Sequence, residues 1–470
     1  MLKHFLNVLK AQASIKFVGV VFTVYLGSVY GAPFLGSYVL FISLMSLSLF
    51  LSKLGVLYSV EKKLSERREL IWPYVIAGLI INLTLLAFTI GLLLFFSSHL
   101  SVYIDESLIS LLILSTVTGN CVNFLNRVNK SQKRFDVFAN SVIIKEVGAK
   151  IIAAIILLVA PFLESIIICH VIANILASIY AFRYIPLHSI TWPKTIHFKE
   201  IVYYSKFNVV LELRDVAINW ADILIIGLVL TETHVGIYQL IWQLASGILI
   251  IAKSINLVCF PYFNTWFYER NFKQIKEFLG TKIYLFTLPI IPIFFGGIVV
   301  GEDLLILIGE DYKEGYIPLI ILLFGAIFRS TQELYSKLLV AYGTPKYSFV
   351  ISTISGIFNI ILNIILIPLW GISGAAIATS ISFILNNAGC YYYFHKQIAF
   401  KYYKQIILNN VLASIFMAVI ILLVSSIYQL LVFYEIILGI VIWTLSMLLS
   451  KDIKNDGKFL MEKMKRRAYT

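Results

Sequence analysis

The chain has 470 residues, 60% of them hydrophobic and only 13% charged, with a mean hydropathy of +0.89. A membrane-crossing helix takes roughly 20 mostly apolar residues, so this supply stocks about fourteen helices and leaves no room for a large soluble domain. The net charge of +13 does not imply nucleic acid, because basic residues flanking apolar stretches mark cytoplasmic loops rather than a phosphate-binding face.

Lys3, Lys10 and Lys16 precede an apolar run that no Ala-x-Ala cleavage site follows, so that run is read as a retained first helix. Apolar stretches bounded by charge, Gly or Pro predict helices over 14–31, 36–57, 72–96, 107–125, 138–160, 163–182, 205–230, 234–260, 281–300, 316–340, 347–368, 372–394, 405–424 and 430–450. The predicted fold class is all-α, a polytopic membrane protein. Cys121, Cys169, Cys259 and Cys390 lie in or beside these stretches without a CxxC or a nearby His pair, and read as buried thiols rather than a disulfide or metal site.

Charge in the connections tests this topology. With the N-terminus in the cytoplasm, inside connections hold Lys62, Lys63, Arg67, Arg68, Arg127, Lys130, Lys133, Arg134, Arg183, Lys194, Lys199, Lys206, Arg270, Lys273, Lys276, Lys346, Lys396, Lys401, Lys404 and the tail from Lys451 to Arg467. Outside connections hold one basic residue, Lys313, among acids such as Asp105, Glu164, Glu232, Glu302 and Glu310. A wrong span count would scramble this sorting. Both termini are therefore expected in the cytoplasm, on the inner side of the cytoplasmic membrane. With external connections this short, function has to reside within the helices.

Gly36-Ser37-Tyr38 opens the second span and Lys53 follows Gly36 by seventeen residues; Gly236-Ile237-Tyr238 opens the eighth and Lys253 follows at the same interval. A parallel repeat of six helices follows from this match, with lobes 1–204 and 205–404 and a C-terminal extension 405–470. Such halves enclose substrate near the midplane.

The seventh span carries Ser205, Asn208, Glu212, Asp215, Asn219 and Asp222 at alternating three- and four-residue spacing, which puts them within about a 100° arc. Charges at mid-bilayer cost roughly 2.5–3.5 kcal/mol each, so this stripe has to face protein or water. Gln239, Gln243, Ser246 and Lys253 share a face of the eighth span, and Arg329, Gln332, Glu333 and Ser336 a face of the tenth. Ser352, Ser355, Asn359 and Asn363 share one of the eleventh, and Lys53 closes a Ser43/Ser46 face in the second. Small polar residues also serve as interhelical glue, and Arg329–Glu333 has i,i+4 ion-pair spacing. His170 reads as a satisfied interior histidine. The cations Lys53, Arg214, Lys253 and Arg329 read as a cavity lining suited to an anionic head group. The acids Glu212, Asp215, Asp222 and Glu333 would balance charge or hold a coupling cation. No cofactor or metal is expected.

Gly343-Thr344-Pro345-Lys346, Asn359, Asn363 and the run Ile367-Pro368-Leu369-Trp370-Gly371-Ile372-Ser373-Gly374-Ala375-Ala376-Ile377-Ala378-Thr379 closely resemble a signature of Wzx-type polysaccharide-lipid flippases, of the multidrug/oligosaccharidyl-lipid/polysaccharide exporter superfamily. Asp222–Gly227 with Val235–Tyr238, Ile308–Tyr312, and Gly36-Ser37-Tyr38 with Gly55 resemble the same family, over essentially the whole chain. One departure is Tyr25-Leu26-Gly27, where the family's pattern carries an arginine. The resemblance implies a two-lobed bundle that moves undecaprenyl- or dolichyl-linked oligosaccharides outward by alternating access, with membrane lipids and other glycan-assembly membrane proteins as partners. In that reading Lys53, Arg214, Lys253 and Arg329 hold phosphate, while Asn219, Gln239, Gln243, Gln332, Asn359 and Asn363 contact sugar. Two rivals remain: a cation-coupled multidrug antiporter of the same fold, relying on Asp215 or Asp222, and a membrane glycan polymerase or ligase. The second is disfavoured by short external loops and by the lack of DxD or HxxxxD.

Overall fold

The computed structural model describes residues 2–66, 71–100, 105–185, 190–400, 404–428 and 431–449; within these, side chains are described except for residues 2–13, Leu211, Arg214, Asp215, Leu257, Lys404 and Tyr428. Among the basic residues used for orientation, Arg67, Arg68, Lys401 and the tail from Lys451 lie outside the described residues. The described residues are helical without strands. They fall into two compact units, Met1–Gln239 and Leu240–Thr470.

The first unit contains α1 (Leu2–Leu51), α2 (Val56–Glu66), α3 (Ile71–Phe95), α4 (Ser97–Leu100), α5 (Glu106–Ser131), α6 (Phe135–Ile143), a π-helical turn (Ile144–Gly148), α7 (Ala149–Ile156), α8 (Leu163–Phe182), α9 (Thr195–Val229) and the start of α10 (Glu232–Gly247). The second continues with α11 (Leu249–Tyr268), α12 (Phe272–Lys282), α13 (Ile290–Ile308), α14 (Tyr316–Ala341), α15 (Pro345–Gln397), α16 (Lys404–Tyr428) and α17 (Val432–Leu449), with 3-10 turns at Ile283–Phe286 and Glu310–Gly315.

Two of these helices are hairpins. α1 leaves helical geometry at Gly31, whose φ of 83° suits glycine, and its arms fold back so that the Phe22 and Tyr38 rings meet at 5.9 Å. α15 turns at Trp370–Gly371 just after Pro368, and Tyr347 stacks on Tyr393 at 4.6 Å across its arms. Ten described helices are long and apolar enough to cross a membrane. Dividing the two hairpins, and adding α6–α7 and the apolar Val216–Val229 end of α9, brings the described helices to the fourteen expected crossings.

Some boundaries differ. The second span ends at Leu51 rather than 57, because Leu54 (φ 37°) and Gly55 (φ 77°) break the helix into an elbow before α2. The seventh begins at Thr195, ten residues before the expected start. The eighth runs from α10 into α11 with helical dihedrals at Ile248 (φ −64°, ψ −31°), and reaches Tyr268 rather than 260. The ninth starts at Ile290, since Pro289 and Pro292, which have no N–H to donate, favour a helix start there. All four cysteines are free; Cys169 and Cys390 are buried as expected, whereas Cys259 is half-buried and Cys121 exposed.

Candidate functional site

In the first unit the elbow between α1 and α2 is tied to α9. Gly55 N–H donates to Glu212 Oε2 at 2.9 Å, Ser59 and Ser205 hydroxyls meet at 3.1 Å, and Asn208 Nδ2 donates to Ser59 Oγ at 3.1 Å. The fit is close: a methyl added at Gly55 would stand 2.6 Å from the Ser205 carbonyl oxygen. Half of the polar stripe on α9 thus fastens helices together, as small polar groups do in membranes. Lys53 sits in the elbow, not on a helix face, and is half-buried; its charge interacts with those of Glu212, Lys145 and Arg127. The Arg214 and Asp215 side chains lie outside the described residues. Asn219 is exposed, and Asp222 is buried, accepting from the Tyr238 hydroxyl at 2.8 Å.

The repeated glycines meet each other. A methyl at Gly36 would stand 1.8 Å from the Glu232 carbonyl oxygen, and one at Gly236 would stand 2.0 Å from the Ala32 carbonyl oxygen. Each glycine faces the residue four before its counterpart, so the contact is reciprocal, a local twofold between 32–38 and 232–238. Ser37 adds a 2.5 Å hydrogen bond to the Glu232 carboxylate.

In the second unit α11 and α14 bring three predicted residues together. Glu333 Oε1 lies 3.8 Å from Arg329 Nε and 4.0 Å from Lys253 Nζ, and the Arg329 guanidinium lies over the Phe383 ring at 5.1 Å. Lys253 is 60% exposed against 24% for Arg329 and 20% for Glu333, so the ammonium is the accessible member of the group. The Glu333 carboxylate thus lies between two cations. Gln332, next to Glu333 in the chain, is buried, and Gln239 and Gln243 are half-buried on α10. Asn359 and Asn363 are placed inside the α15 hairpin: Asn363 Nδ2 donates to Asn359 Oδ1 at 3.2 Å, and Asn359 Nδ2 to Thr379 Oγ1 at 3.3 Å. The second unit also contains an apolar cavity of about 450 Å³ lined by Ile293, Gly297, Met417, Ile421, Ile436 and Trp443.

Sequence reasoning missed a charged cluster in the fifth span. Lys145 and Lys150 both approach Glu146, at 3.5 and 3.4 Å, and Lys145 also donates to Asn123 Oδ1 at 3.3 Å. Three charges within an otherwise apolar stretch were the available signal. His170 is hydrogen-bonded through Nε2 to the Tyr38 hydroxyl at 3.0 Å, as a satisfied interior histidine.

The chain is similar along its length to known transporters. It is 26% identical over 455 residues to the probable low-salt glycan biosynthesis flippase Agl15 of Haloferax volcanii, covering 95% of this chain and 94% of that one. The probable flippase AglR of the same organism is 28% identical over 178 residues, 37% of each chain. In fold the chain resembles lipid II flippase MurJ in an inward closed conformation, with a TM-score of 0.77 at 16% identity over 93% of this chain and 97% of that one. An inward-facing multidrug resistance MATE transporter follows at 0.62 and 13% identity, over 82% and 94%. The model of the lipid II flippase MurJ family matches residues 74–442, most of the chain, and the protein therefore belongs to that family.

Proposed function

We propose that the protein moves a lipid-linked oligosaccharide, carried on an undecaprenyl- or dolichyl-type phosphate, across the cytoplasmic membrane by alternating access, without catalysing a reaction. The observation that carries this reading is the Lys253–Glu333–Arg329 group: two cations approaching one carboxylate, partly accessible, within a fold of the flippase type. A phosphate oxygen competes well for lysine and arginine in a partly dehydrated site. Lys53 and Arg214 extend the head-group site, Asn219, Gln239, Gln243 and Gln332 meet sugar, and Glu212, Asp215, Asp222 and Glu333 balance charge while the site is empty. The apolar cavity against α16 and α17 offers an isoprenoid tail a surface matching its chemistry. Both termini lie in the cytoplasm in this reading, and other glycan-assembly membrane proteins supply and consume the substrate.

Moving two negative charges outward gains up to roughly 4.6 kcal/mol at 100 mV, inside negative, so a coupling ion is not obligatory. The test is flipping of a fluorescent polyprenyl-pyrophosphate oligosaccharide in proteoliposomes. Arg329→Ala should slow it at least tenfold while leaving insertion and melting temperature unchanged. Normal flipping by that variant removes Arg329 from the head-group site. Drug efflux without glycan flipping supports the antiporter reading instead.

A further inference from the structure

We propose that the π-helical turn between α6 and α7 forms an oxyanion subsite, where Lys145 and Lys150 take up a phosphate or carboxylate group of the lipid-linked glycan in place of Glu146. The identity of the ligand rests on the flippase reading; the site itself rests on local geometry. Over Ile144–Gly148 the backbone bonds in the π pattern, i→i+5. Lys150 meets the Glu146 carboxylate across four residues, as helix neighbours do, and Lys145 meets it from the adjacent position.

Two ammonium groups share one acid there. Among the described residues Glu146 is the one carboxylate in ion-pair reach of either, so the turn carries a surplus positive charge inside a membrane span. The carboxylate's hold is loose. Charge-assisted N–H···O bonds settle near 2.7–2.9 Å, and the Glu146 carboxylate is 3.5 Å from one ammonium and 3.4 Å from the other, while Lys150 also donates to the Glu146 backbone carbonyl at 3.0 Å. The same unit contains a tight version of this arrangement, with Glu61 2.6 Å from Arg127 and 2.9 Å from Lys130. A carboxylate stretched between two cations is readily exchanged for an oxyanion able to contact both. The side chains are 18% (Lys145), 14% (Lys150) and 34% (Glu146) exposed, enough for contact with an interior ligand. Lys145 is anchored by Asn123, and the charge of Lys53 in the elbow adds to the field at Lys145.

The test uses the full chain in detergent and titrates farnesyl pyrophosphate, farnesol as the uncharged control, and a galacturonate trisaccharide. Wild type should bind at least one of the two anions and bind farnesol more weakly than farnesyl pyrophosphate; which anion binds identifies phosphate or sugar carboxylate as the source. Lys145→Gln with Lys150→Gln should weaken anion binding at least tenfold. Lys145→Arg with Lys150→Arg should stay within about threefold of wild type, and Glu146→Gln should tighten binding by removing the internal competitor. Unchanged binding in the double glutamine variant, no tightening in Glu146→Gln, or no binding of either anion by wild type overturns the subsite. If the double glutamine variant does not fold, Glu146→Gln alone decides. Proteoliposome flipping separates the two ideas: flipping with lysine-independent binding removes this subsite alone, whereas lysine-dependent binding without flipping removes the flippase reading alone.

Discussion

The Gly36–Gly236 contact gives the sharpest prediction. An added methyl at Gly236 would lie 2.0 Å from the Ala32 carbonyl oxygen and 3.0 Å from Gly36 N, both backbone atoms that no rotamer change can move. Relief requires α1 and α10 to separate locally by about 1.2 Å, and overpacking of this kind costs roughly 1–3 kcal/mol. The same separation lengthens the Ser37–Glu232 hydrogen bond, now 2.5 Å. At 1.4 kcal/mol per factor of ten, Gly236→Ala should lower the population of this arrangement about 5- to 150-fold relative to any conformation without the contact. The assay is the rate of thiol modification of Ser37→Cys in a background where Cys121 and Cys259 are replaced. Gly236→Ala should accelerate it several-fold, and Gly36→Ala, which meets the Glu232 oxygen at 1.8 Å, at least as much. Unchanged modification with unchanged melting temperature would refute the steric argument.

Gly374→Ala should destabilise more than Gly227→Ala, because its methyl meets the Leu366 carbonyl oxygen at 2.1 Å whereas the other meets the mobile end of Leu40 at 2.3 Å; paired melting curves in one detergent compare them. Glu61→Ala strands Arg127 and Lys130 and should cost about 1–2 kcal/mol, read as loss of urea or heat resistance. Burial works against the Lys63 charge, but the Glu200 and Glu66 carboxylates outweigh it and hold its pKa above the ordinary lysine value of 10.5. A raised pKa stabilises the fold fully below the unfolded value and ceases to as pH climbs through the folded one. Melting temperature should therefore fall above pH 10.5, and Lys63→Met should flatten that fall.

Most of the helix order was legible because apolar run length is a coarse signal that lipid imposes directly. The hairpin at Trp370–Gly371 was written as Pro368 with Gly371, and the reciprocal glycines as a repeated Gly-x-Tyr. The site was less legible. Lys53 was placed on a helix face by assuming 3.6 residues per turn through Leu54 and Gly55, where the backbone departs from the helix. The Lys145–Glu146–Lys150 group was legible as three charges at one- and four-residue spacing in an apolar stretch, and sequence reasoning passed over it. The stripe on α9 shows a third limit. Ser205, Asn208 and Glu212 have the spacing of a wet face, but hydrogen bonding to a neighbouring helix demands the same spacing, and here the elbow and α2 occupy it.

The α15 hairpin bears on how the chain enters the bilayer. Asn359 on its first arm finds Thr379 on the second, and Asn386 on the second finds Ser352 on the first. An arm released alone into hydrocarbon would carry its amides there before their counterparts arrive. The two arms are therefore expected to leave the insertion machinery as a pair, and a nascent chain truncated just after Gly371 should linger beside the translocon until the returning arm is synthesised.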